Sequence, residues 1–180
     1  MTEQAPVALD AFALLGLPAR FDVSIAELER AFHAQSKLHH ADKFATAPAA
    51  ERVAALNRSR ALNDAYQTLK KPIARAEYML SRAGFSIGSN ERLDAGFLME
   101  ILEAREELSE ARAAGDTSRM TELQAAMVGR HKAVVASLAP LFTATQSGDS
   151  DAWTSIKRQL IVLRYLDRYL EECSITLDEE

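Results

Sequence analysis

The sequence has few of the residues that tight turns, disulfides and zinc sites require. Its 180 residues include 7 glycines, 5 prolines and a single cysteine, Cys173. So little glycine and proline disfavours turn-rich sandwiches and barrels, collagen-like repeats and disordered linkers. One cysteine cannot form an intramolecular disulfide or a cysteine-rich zinc site, so we expect a reducing compartment.

Long apolar segments and a surplus of basic residues are also missing. No apolar stretch approaches the roughly 20 residues that a membrane-spanning helix needs, and the N-terminus lacks the basic region of a secretory signal. We therefore expect a cytoplasmic protein that has no membrane partner. The net charge is −5, with 10 basic and 9 acidic side chains in residues 1–80 and 11 basic and 17 acidic in residues 81–180. This acidic surplus argues against nucleic acid as a partner.

Alanine and leucine dominate the composition that remains. The chain has 32 alanines and 22 leucines against 7 valines and 7 isoleucines, a balance that favours helices over strands. Its length fits two small domains better than one large one. Neither glycine pattern that cradles phosphates, G-x-G-x-x-G or G-x-x-x-x-G-K, occurs. We therefore expect an all-α protein without a cofactor of its own.

Capping residues predict where the first two helices begin and end. A short helix follows Asp10 and ends at Gly16, which precedes a proline by two positions. Ser24 and Glu27 have the spacing of a capping box, in which each side chain satisfies a free backbone donor at a helix start. The apolar stripe that follows predicts a helix to about His39.

Two further helices and a polar linker complete the first half. Apolar residues at three- and four-residue steps predict a helix over about residues 49–70, and Pro72 separates it from another apolar run. Residues 84–92 hold two glycines and several small polar residues, a composition typical of a domain boundary. We therefore place a first domain at residues 8–83 and a linker at 84–92.

The second half contains three longer amphipathic segments. The first ends near Gly115, Asp116 or Thr117 caps the second, and Pro140 is expected to break or kink it. A loop then leads into the last helix. Three helices with short connections can bury their apolar stripes as an antiparallel bundle, which we place at residues 93–175.

Two motifs suggest enzymatic or metal chemistry, and both have simpler explanations. Residues 84–88 match G-x-S-x-G, but a nucleophile elbow needs a strand before the first glycine, and the segment before Gly84 is helical in pattern. A glycine that ends a helix is a simpler explanation for Gly84 in this motif. His39, His40 and Asp42 could ligate a metal, but adjacent histidines rarely point to one centre and no Glu-x-x-His spacing occurs. We expect no catalytic residues and no metal.

Specific residues in these elements match those of a known family. The segment 38–44 reads Leu-His-His-Ala-Asp-Lys-Phe, and the other matching segments are 12–18, 62–78, 84–85, 97–100, 105–108 and, more weakly, 163–167. In this order and spacing, the chain resembles an HscB-type J-domain co-chaperone of iron–sulfur cluster biogenesis over most of its length. The resemblance implies an N-terminal J-domain joined to a C-terminal three-helix bundle, and a protein that is not an enzyme.

The resemblance also implies a chaperone-binding loop. Proteins of this family deliver an IscU-type iron–sulfur scaffold to an HscA- or DnaK-type chaperone and stimulate the chaperone's ATPase. The matching positions are His40, Ala41, Asp42 and Lys43, with Lys37 on the preceding helix. The family has His-Pro-Asp where this chain has His-Ala-Asp. Because proline fixes φ near about −65° and restricts the residue before it, Ala41 is expected to loosen the turn and impair stimulation without changing the fold.

The scaffold-binding patch implied by the resemblance lies on the first helix of the bundle. Its matching positions are Leu98, Met99, Leu102, Glu103, Arg105 and Glu106, with Tyr165 from the last helix. Four of them share one helical face at three- and four-residue steps, and Met99 and Glu103 border it. The alternative is that the apolar members, Leu98, Leu102 and Tyr165, belong to the bundle core.

Three functions are therefore open. The first is an adaptor that binds both the scaffold and the chaperone. The second is a degenerate J-like protein that binds the scaffold but no longer stimulates a chaperone. The third is an enzyme that depends on Ser86 or His40, which the context of both motifs disfavours.

Overall fold

A computed structural model describes residues 10–39, 46–88, 91 and 94–178, with side chains described as far as Ser174. This part of the chain contains helices and no strand, which confirms the all-α fold. The helices are α1 (Ala11–Leu15), α2 (Ile25–Leu38), α3 (Ala49–Lys70), α4 (Pro72–Arg82), α5 (Ala95–Ala113), α6 (Thr117–Gln146) and α7 (Asp151–Asp178). Of these helices, none is both long and apolar enough to cross a membrane.

The chain divides into two compact units, Met1–Met79 and Leu80–Glu180. The division falls within α4, whereas the sequence places the first boundary after residue 83. The predicted limits of 8–83, 84–92 and 93–175 stay a prediction. The two units are described separately below.

The core of the first unit forms where α3 packs against α1 and α2. The apolar residues of α3 recur on one face at three- and four-residue steps, as a helix that buries a single stripe requires. Phe32 of α2 stacks on Tyr66 of α3 with ring centroids 4.6 Å apart. The buried members of this core are Ala11, Phe12, Leu15, Val23, Leu28, Leu62, Ala65, Tyr66 and Leu69.

The start of α2 contains half of the predicted capping box. Ser24 Oγ accepts a hydrogen bond from the Glu27 backbone N–H at 3.2 Å, as predicted. The Glu27 carboxylate does not close the box, because it pairs with the Arg20 guanidinium at 2.7 Å. Glu27 thus joins the connection before α2 to the first turn of the helix.

Tyr78 of α4 completes the N-terminal cap of α1. The Ala11 N–H donates to the Tyr78 hydroxyl oxygen at 2.8 Å, and that hydroxyl donates to Asp10 Oδ1 at 2.9 Å. Asp10 Oδ1 also accepts from the Phe12 N–H at 3.1 Å. A helix as short as α1 is marginal alone, so these bonds and its buried face hold it in place.

Arg75 is a buried cation that joins three parts of the first unit. It is 5% exposed. Its Nε donates to the Leu69 carbonyl at 2.7 Å, and its Nη1 donates to the Phe21 and Val23 carbonyls at 2.5 and 3.1 Å. Burial lowers the pKa of the guanidinium, an effect that the Asp22 carboxylate opposes. Arg75 therefore ties the end of α3 and the connection between α1 and α2 to α4.

Gly84 ends α4, as the helix-cap explanation of its motif predicts. The Phe85 N–H donates to the Leu80 carbonyl at 3.2 Å and the Gly84 N–H to the Ser81 carbonyl at 3.0 Å, the two bonds of a Schellman motif. The φ of Gly84 is 86°. This left-handed conformation is the reason for glycine, since an added Cβ would meet nothing within 4 Å.

The second unit contains the predicted three-helix bundle of α5, α6 and α7, which contact one another in all three pairs. Trp153 at the start of α7 stacks on Phe85 and meets Phe142 of α6 edge-on, both at 5.9 Å between ring centroids. One core cluster contains Ala104, Leu108, Ala111, Met120, Leu123, Tyr169 and Cys173, and another contains Phe97, Ile101 and Leu166.

Helix α6 does not end at Pro140. Asp116 caps its start, with its carboxylate accepting from the Arg119 N–H at 2.9 Å, which resolves the choice between Asp116 and Thr117. Of the break or kink expected at Pro140, the break is wrong, because the helix continues to Gln146. The kink stays a prediction. Leu138 and Phe142 are buried on either side of the proline. Their packing holds the helix together. The missing N–H of the exposed Pro140 leaves the carbonyl of Ala136, which is also exposed, without its helical donor on the solvent side.

Candidate functional site

The predicted chaperone-binding residues fall mostly in a segment that the structure does not describe. His40, Ala41, Asp42 and Lys43 lie outside the described residues. Lys37 lies in the last turn of α2 and is exposed. A cation at this end of a helix interacts favourably with the helix dipole and remains accessible to a partner.

Most of the predicted scaffold-binding residues of α5 lie on the side of the helix that faces away from the bundle core. Met99, Leu102, Glu103 and Glu106 are exposed there, whereas Leu98 and Arg105 are half-buried. The inner side buries Phe97, Ile101, Ala104, Leu108 and Ala111. On the outer side, Met99 is 55% exposed and Leu102 is 58% exposed. Leu102 is therefore not a core residue, which decides one of the alternatives left open by the sequence.

Charged residues surround the two exposed apolar side chains. Glu103 and Glu106 are both exposed. Arg105 is half-buried, and its Nη2 donates to Glu172 Oε1 on α7 at 2.6 Å. Within the described residues, the buried Nε of Arg105 has no hydrogen-bond partner. Since Glu172 balances the charge of Arg105, the face presents mainly the carboxylates of Glu103 and Glu106.

Leu98 and Tyr165, the other two apolar predictions, are both half-buried. The Tyr165 ring meets the Phe97 ring edge-on at 6.1 Å between centroids. The guanidinium of Arg168 lies 5.9 Å from the Tyr165 centroid. Tyr165 thus combines a structural contact in the bundle with a partly accessible ring.

Phe97 is held from a second side by an ion pair that the sequence did not predict. The Arg130 guanidinium of α6 lies 5.0 Å from the Phe97 centroid, and its Nη2 is 2.6 Å from Glu100 Oε2. This arrangement anchors the first turns of α5, which carry Met99 and Leu102. Sequence reasoning missed Arg130 and Glu172 because both lie on other helices, and no local spacing connects them with α5.

The alternatives of an enzyme or a metal site find no support in the described residues. Ser86 follows the end of a helix rather than a strand, so it lacks the context of a nucleophile elbow. No group of three or more potential metal ligands occurs in the part of the chain that the structure describes. Cys173 is buried, and burial raises the pKa of its thiol, the opposite of what a nucleophilic cysteine requires.

Comparisons with known proteins place similarity to HscB proteins in both units of the chain. A family model described as the HSCB C-terminal oligomerisation domain matches residues 93–174. The solved structure of the chaperone HscB from Vibrio cholerae is 31% identical, with a TM-score of 0.77, over 95% of this chain and 99% of that chain. The human co-chaperone protein HscB is 26% identical, with a TM-score of 0.80, over 97% of this chain and 85% of that chain.

Proposed function

The chain belongs to the HscB family of co-chaperones, which act in iron–sulfur cluster assembly and are not enzymes, and we propose that it links an iron–sulfur scaffold to a chaperone ATPase. The IscU-type scaffold binds the outer face of α5 together with Tyr165. The HscA- or DnaK-type chaperone binds Lys37 and residues 40–43. The ATP hydrolysis that drives the cycle belongs to the chaperone.

The exposure of Met99 and Leu102 is the observation that supports the proposed binding of the scaffold. Two large apolar side chains, both more than half exposed, lie one turn apart on a helix whose other side fills the bundle core. Covering apolar surface contributes about 25 cal/mol per Å², so a partner that packs over both side chains gains binding free energy. The carboxylates of Glu103 and Glu106 favour a partner whose apolar surface is bordered by basic residues.

Ala41 determines how strongly the chain binds the chaperone and stimulates its ATPase. A Pro-to-Ala change in a turn that suits proline raises the conformational entropy that must be lost, by roughly 0.4–1 kcal/mol. If the turn must be ordered to bind, the chaperone affinity falls by about two- to fivefold. Stimulation is thus weaker than with proline but still present.

The test is the ATPase rate of the cognate chaperone with increasing amounts of the purified chain, with and without the scaffold. We expect stimulation by the chain, greater stimulation with scaffold present, and a two- to fivefold lower half-saturating concentration for Ala41→Pro, from the entropy estimate of about 0.4–1 kcal/mol. A chain that does not stimulate at saturation contradicts the chaperone half.

The presence of alanine at position 41 also favours a second candidate, a scaffold-binding protein that has lost chaperone stimulation. It predicts scaffold binding in a pull-down, no ATPase stimulation by the natural chain, and stimulation that returns in Ala41→Pro. The same assays therefore separate the two functions.

A further inference from the structure

Helix α7 carries a row of three exposed arginines beside Tyr165. These are Arg158, Arg164 and Arg168, and the exposed Glu171 ends the row one turn later. With about 3.6 residues per turn, the three arginines and Tyr165 lie within about one third of the helix circumference. The guanidinium of Arg168 is 5.9 Å from the centroid of the Tyr165 ring. The row therefore borders a residue of the predicted scaffold-binding patch.

Few contacts within the chain neutralise this row. Residues 158–168 contain these three basic side chains and one acidic side chain, Asp167. Asp167 lies on the side of α7 that faces α6, where its carboxylate is 3.0 Å from His131 Nε2. In the described part of the chain, no ion pair or hydrogen bond joins Arg158 or Arg168 to another residue. The row is therefore a basic surface.

The row lies across the predicted patch from its acidic edge. Arg105 of α5, which donates to Glu172 of α7, marks the side of α5 that faces α7. At about 100° per residue, Leu102 lies about 60° around α5 from Arg105. The exposed Glu106 and Glu103 lie about 100° and about 160° away in the same direction. The patch thus begins at carboxylates on the far side of α5, crosses Leu102 and ends at the arginines of α7.

We propose that Arg158, Arg164 and Arg168 form a basic edge of the scaffold-binding surface and bind an acidic region of the scaffold. This inference rests on the proposed function and extends its site onto the exposed face of α7. Two observations favour the scaffold as the occupant. The basic edge is continuous with Tyr165, and its charge is opposite to that of the α5 edge.

Opposite charges at the two edges give the scaffold one preferred orientation. Its basic region meets Glu103 and Glu106 while its acidic region meets the basic edge. The reverse orientation places like charges together and is disfavoured. Apolar contacts at Met99 and Leu102 alone do not select between the two orientations, so the basic edge is a determinant of specificity.

The exposure of these arginines determines which step of binding they affect. Charges at the rim of an interface act mainly during approach, so they raise the association rate constant more than they lower the dissociation rate constant. Salt screens this attraction, with a screening distance of about 10 Å at 0.1 M and about 3 Å at 1 M. Rate constants measured at two salt concentrations therefore separate attraction of this kind from packing.

Charge reversal tests the basic edge one residue at a time, by biolayer interferometry with immobilised scaffold. For Arg158→Glu and Arg168→Glu, we expect the association rate constant at about 50 mM salt to fall about five- to tenfold. The dissociation rate constant should change by less than about twofold. At about 0.5 M salt, the variants and the natural chain should associate at rates within about twofold of each other. Arg168→Lys keeps the charge and should associate as the natural chain does.

Lys132→Glu is the matched control, because it reverses one exposed charge on α6, a helix without a predicted scaffold-binding residue. It should leave the association rate constant within about twofold of the natural value. The proposal is wrong if either arginine variant associates at the natural rate, or if Lys132→Glu slows association equally. It is also wrong if Arg168→Lys is as slow as Arg168→Glu, or if the differences persist at about 0.5 M salt.

The same measurements distinguish this inference from the proposed function. If the natural chain does not bind the scaffold, the proposed function and the basic edge are both wrong. If the natural chain binds, and Leu102→Ser weakens binding while Arg158→Glu and Arg168→Glu behave as the natural chain does, only the basic edge is wrong.

Discussion

Arg75 shows how one residue can determine the local structure of a unit without belonging to a recognisable motif. Its guanidinium donates to the carbonyls of Phe21, Val23 and Leu69, and its side chain is almost completely buried. In sequence it is an ordinary arginine between two alanines, because its acceptors are backbone atoms that any residue provides. Only the fold identifies it as structural.

Replacing Arg75 with methionine should destabilise the first unit. The change keeps much of the side-chain volume but removes the Arg75 donor from the buried Val23 and Leu69 carbonyls, each costing about 1–3 kcal/mol, while the Phe21 carbonyl keeps the Val23 N–H at 2.9 Å. We expect the free energy of unfolding to fall by about 3 kcal/mol, measured by urea denaturation followed by circular dichroism. Arg58→Met, at an exposed site, is the matched control. Equal stability of the two variants would show that the three bonds contribute little.

Tyr169 and Cys173 form a buried titratable pair in the core of the second unit. The Tyr169 hydroxyl donates to the Ala104 carbonyl at 3.2 Å. Burial raises the pKa of Tyr169, and the neighbouring Cys173 raises it further. Burial also raises the pKa of Cys173, although its hydrogen bond with Tyr169 acts in the opposite direction. Both groups therefore remain protonated in the folded chain at a pH where the unfolded chain ionises.

The second unit should consequently lose stability in alkaline solution. Below the ordinary thiol pKa of about 8.5, both states keep these protons and the stability is unaffected. Above it, the unfolded chain loses the Cys173 proton, and above about pH 10 also the Tyr169 proton, whereas the folded chain retains both. The free energy of unfolding therefore falls by up to about 1.4 kcal/mol per pH unit for each group that ionises in the unfolded chain.

Urea denaturation from pH 7 to 10.5, followed by the fluorescence of Trp153, measures this dependence. We expect a shallower decline for Cys173→Ala and for Tyr169→Phe, and the shallowest for the double variant. An unchanged slope in the double variant would assign the pH dependence to other groups.

A comparison of α4 and α6 shows that the effect of a proline on helix stability depends on its position in the helix. Pro72 occupies the first position of α4, where its missing N–H would have no partner in any case. Pro140 lies inside α6, where a proline costs about 3 kcal/mol relative to alanine. Because α6 continues through Pro140, the packing of its buried side chains must offset the cost of this proline.

Pro140→Ala should therefore stabilise the second unit. We expect a gain of about 1–3 kcal/mol, because the restored backbone bond outweighs the greater freedom of the unfolded chain. Pro72→Ala is the matched control and should change the stability by less than about 0.5 kcal/mol. Trp153 fluorescence measures the first variant and circular dichroism the second. A loss of stability in Pro140→Ala would mean that the proline ring makes a contact that alanine cannot replace.

Most helix boundaries could be predicted because they depend on local chemistry. The caps at Ser24 and Asp116 and the glycine end at Gly84 each involve atoms a few residues apart. The continuation of α6 past Pro140 could not be predicted, since it depends on packing against other helices. For the same reason, periodicity left the exposure of Leu102 open, because an apolar residue at the edge of a stripe can face either the core or solvent.

At the scale of the whole molecule, the uneven charge of the sequence corresponds to two surfaces with different chemistry. The first unit carries an exposed basic and apolar face on α3 and the exposed Lys37 at the end of α2. The second unit carries the acidic and apolar face of α5. An adaptor requires such a division, because two partners that bind one chain simultaneously need separate sites.

Separate sites predict that each function can be removed alone. Met99→Ser with Leu102→Ser removes apolar contacts from exposed positions, so the fold should lose less than about 1 kcal/mol. Scaffold affinity should fall by about 10- to 100-fold, the effect of losing central apolar contacts. Stimulation of the chaperone by the chain without scaffold should be unchanged. His40→Gln should have the reverse effect, abolishing stimulation while scaffold affinity stays the same.

The matched control for the double variant is Ile25→Ser, which removes an apolar side chain that is 53% exposed on α2 and lies in neither predicted site. It should leave both scaffold affinity and ATPase stimulation unchanged. Calorimetric titration of the scaffold and a steady-state ATPase assay provide the two measurements. If the α5 variant and His40→Gln each weakened both activities, the two sites would act as one, and the division of labour between the units would be wrong.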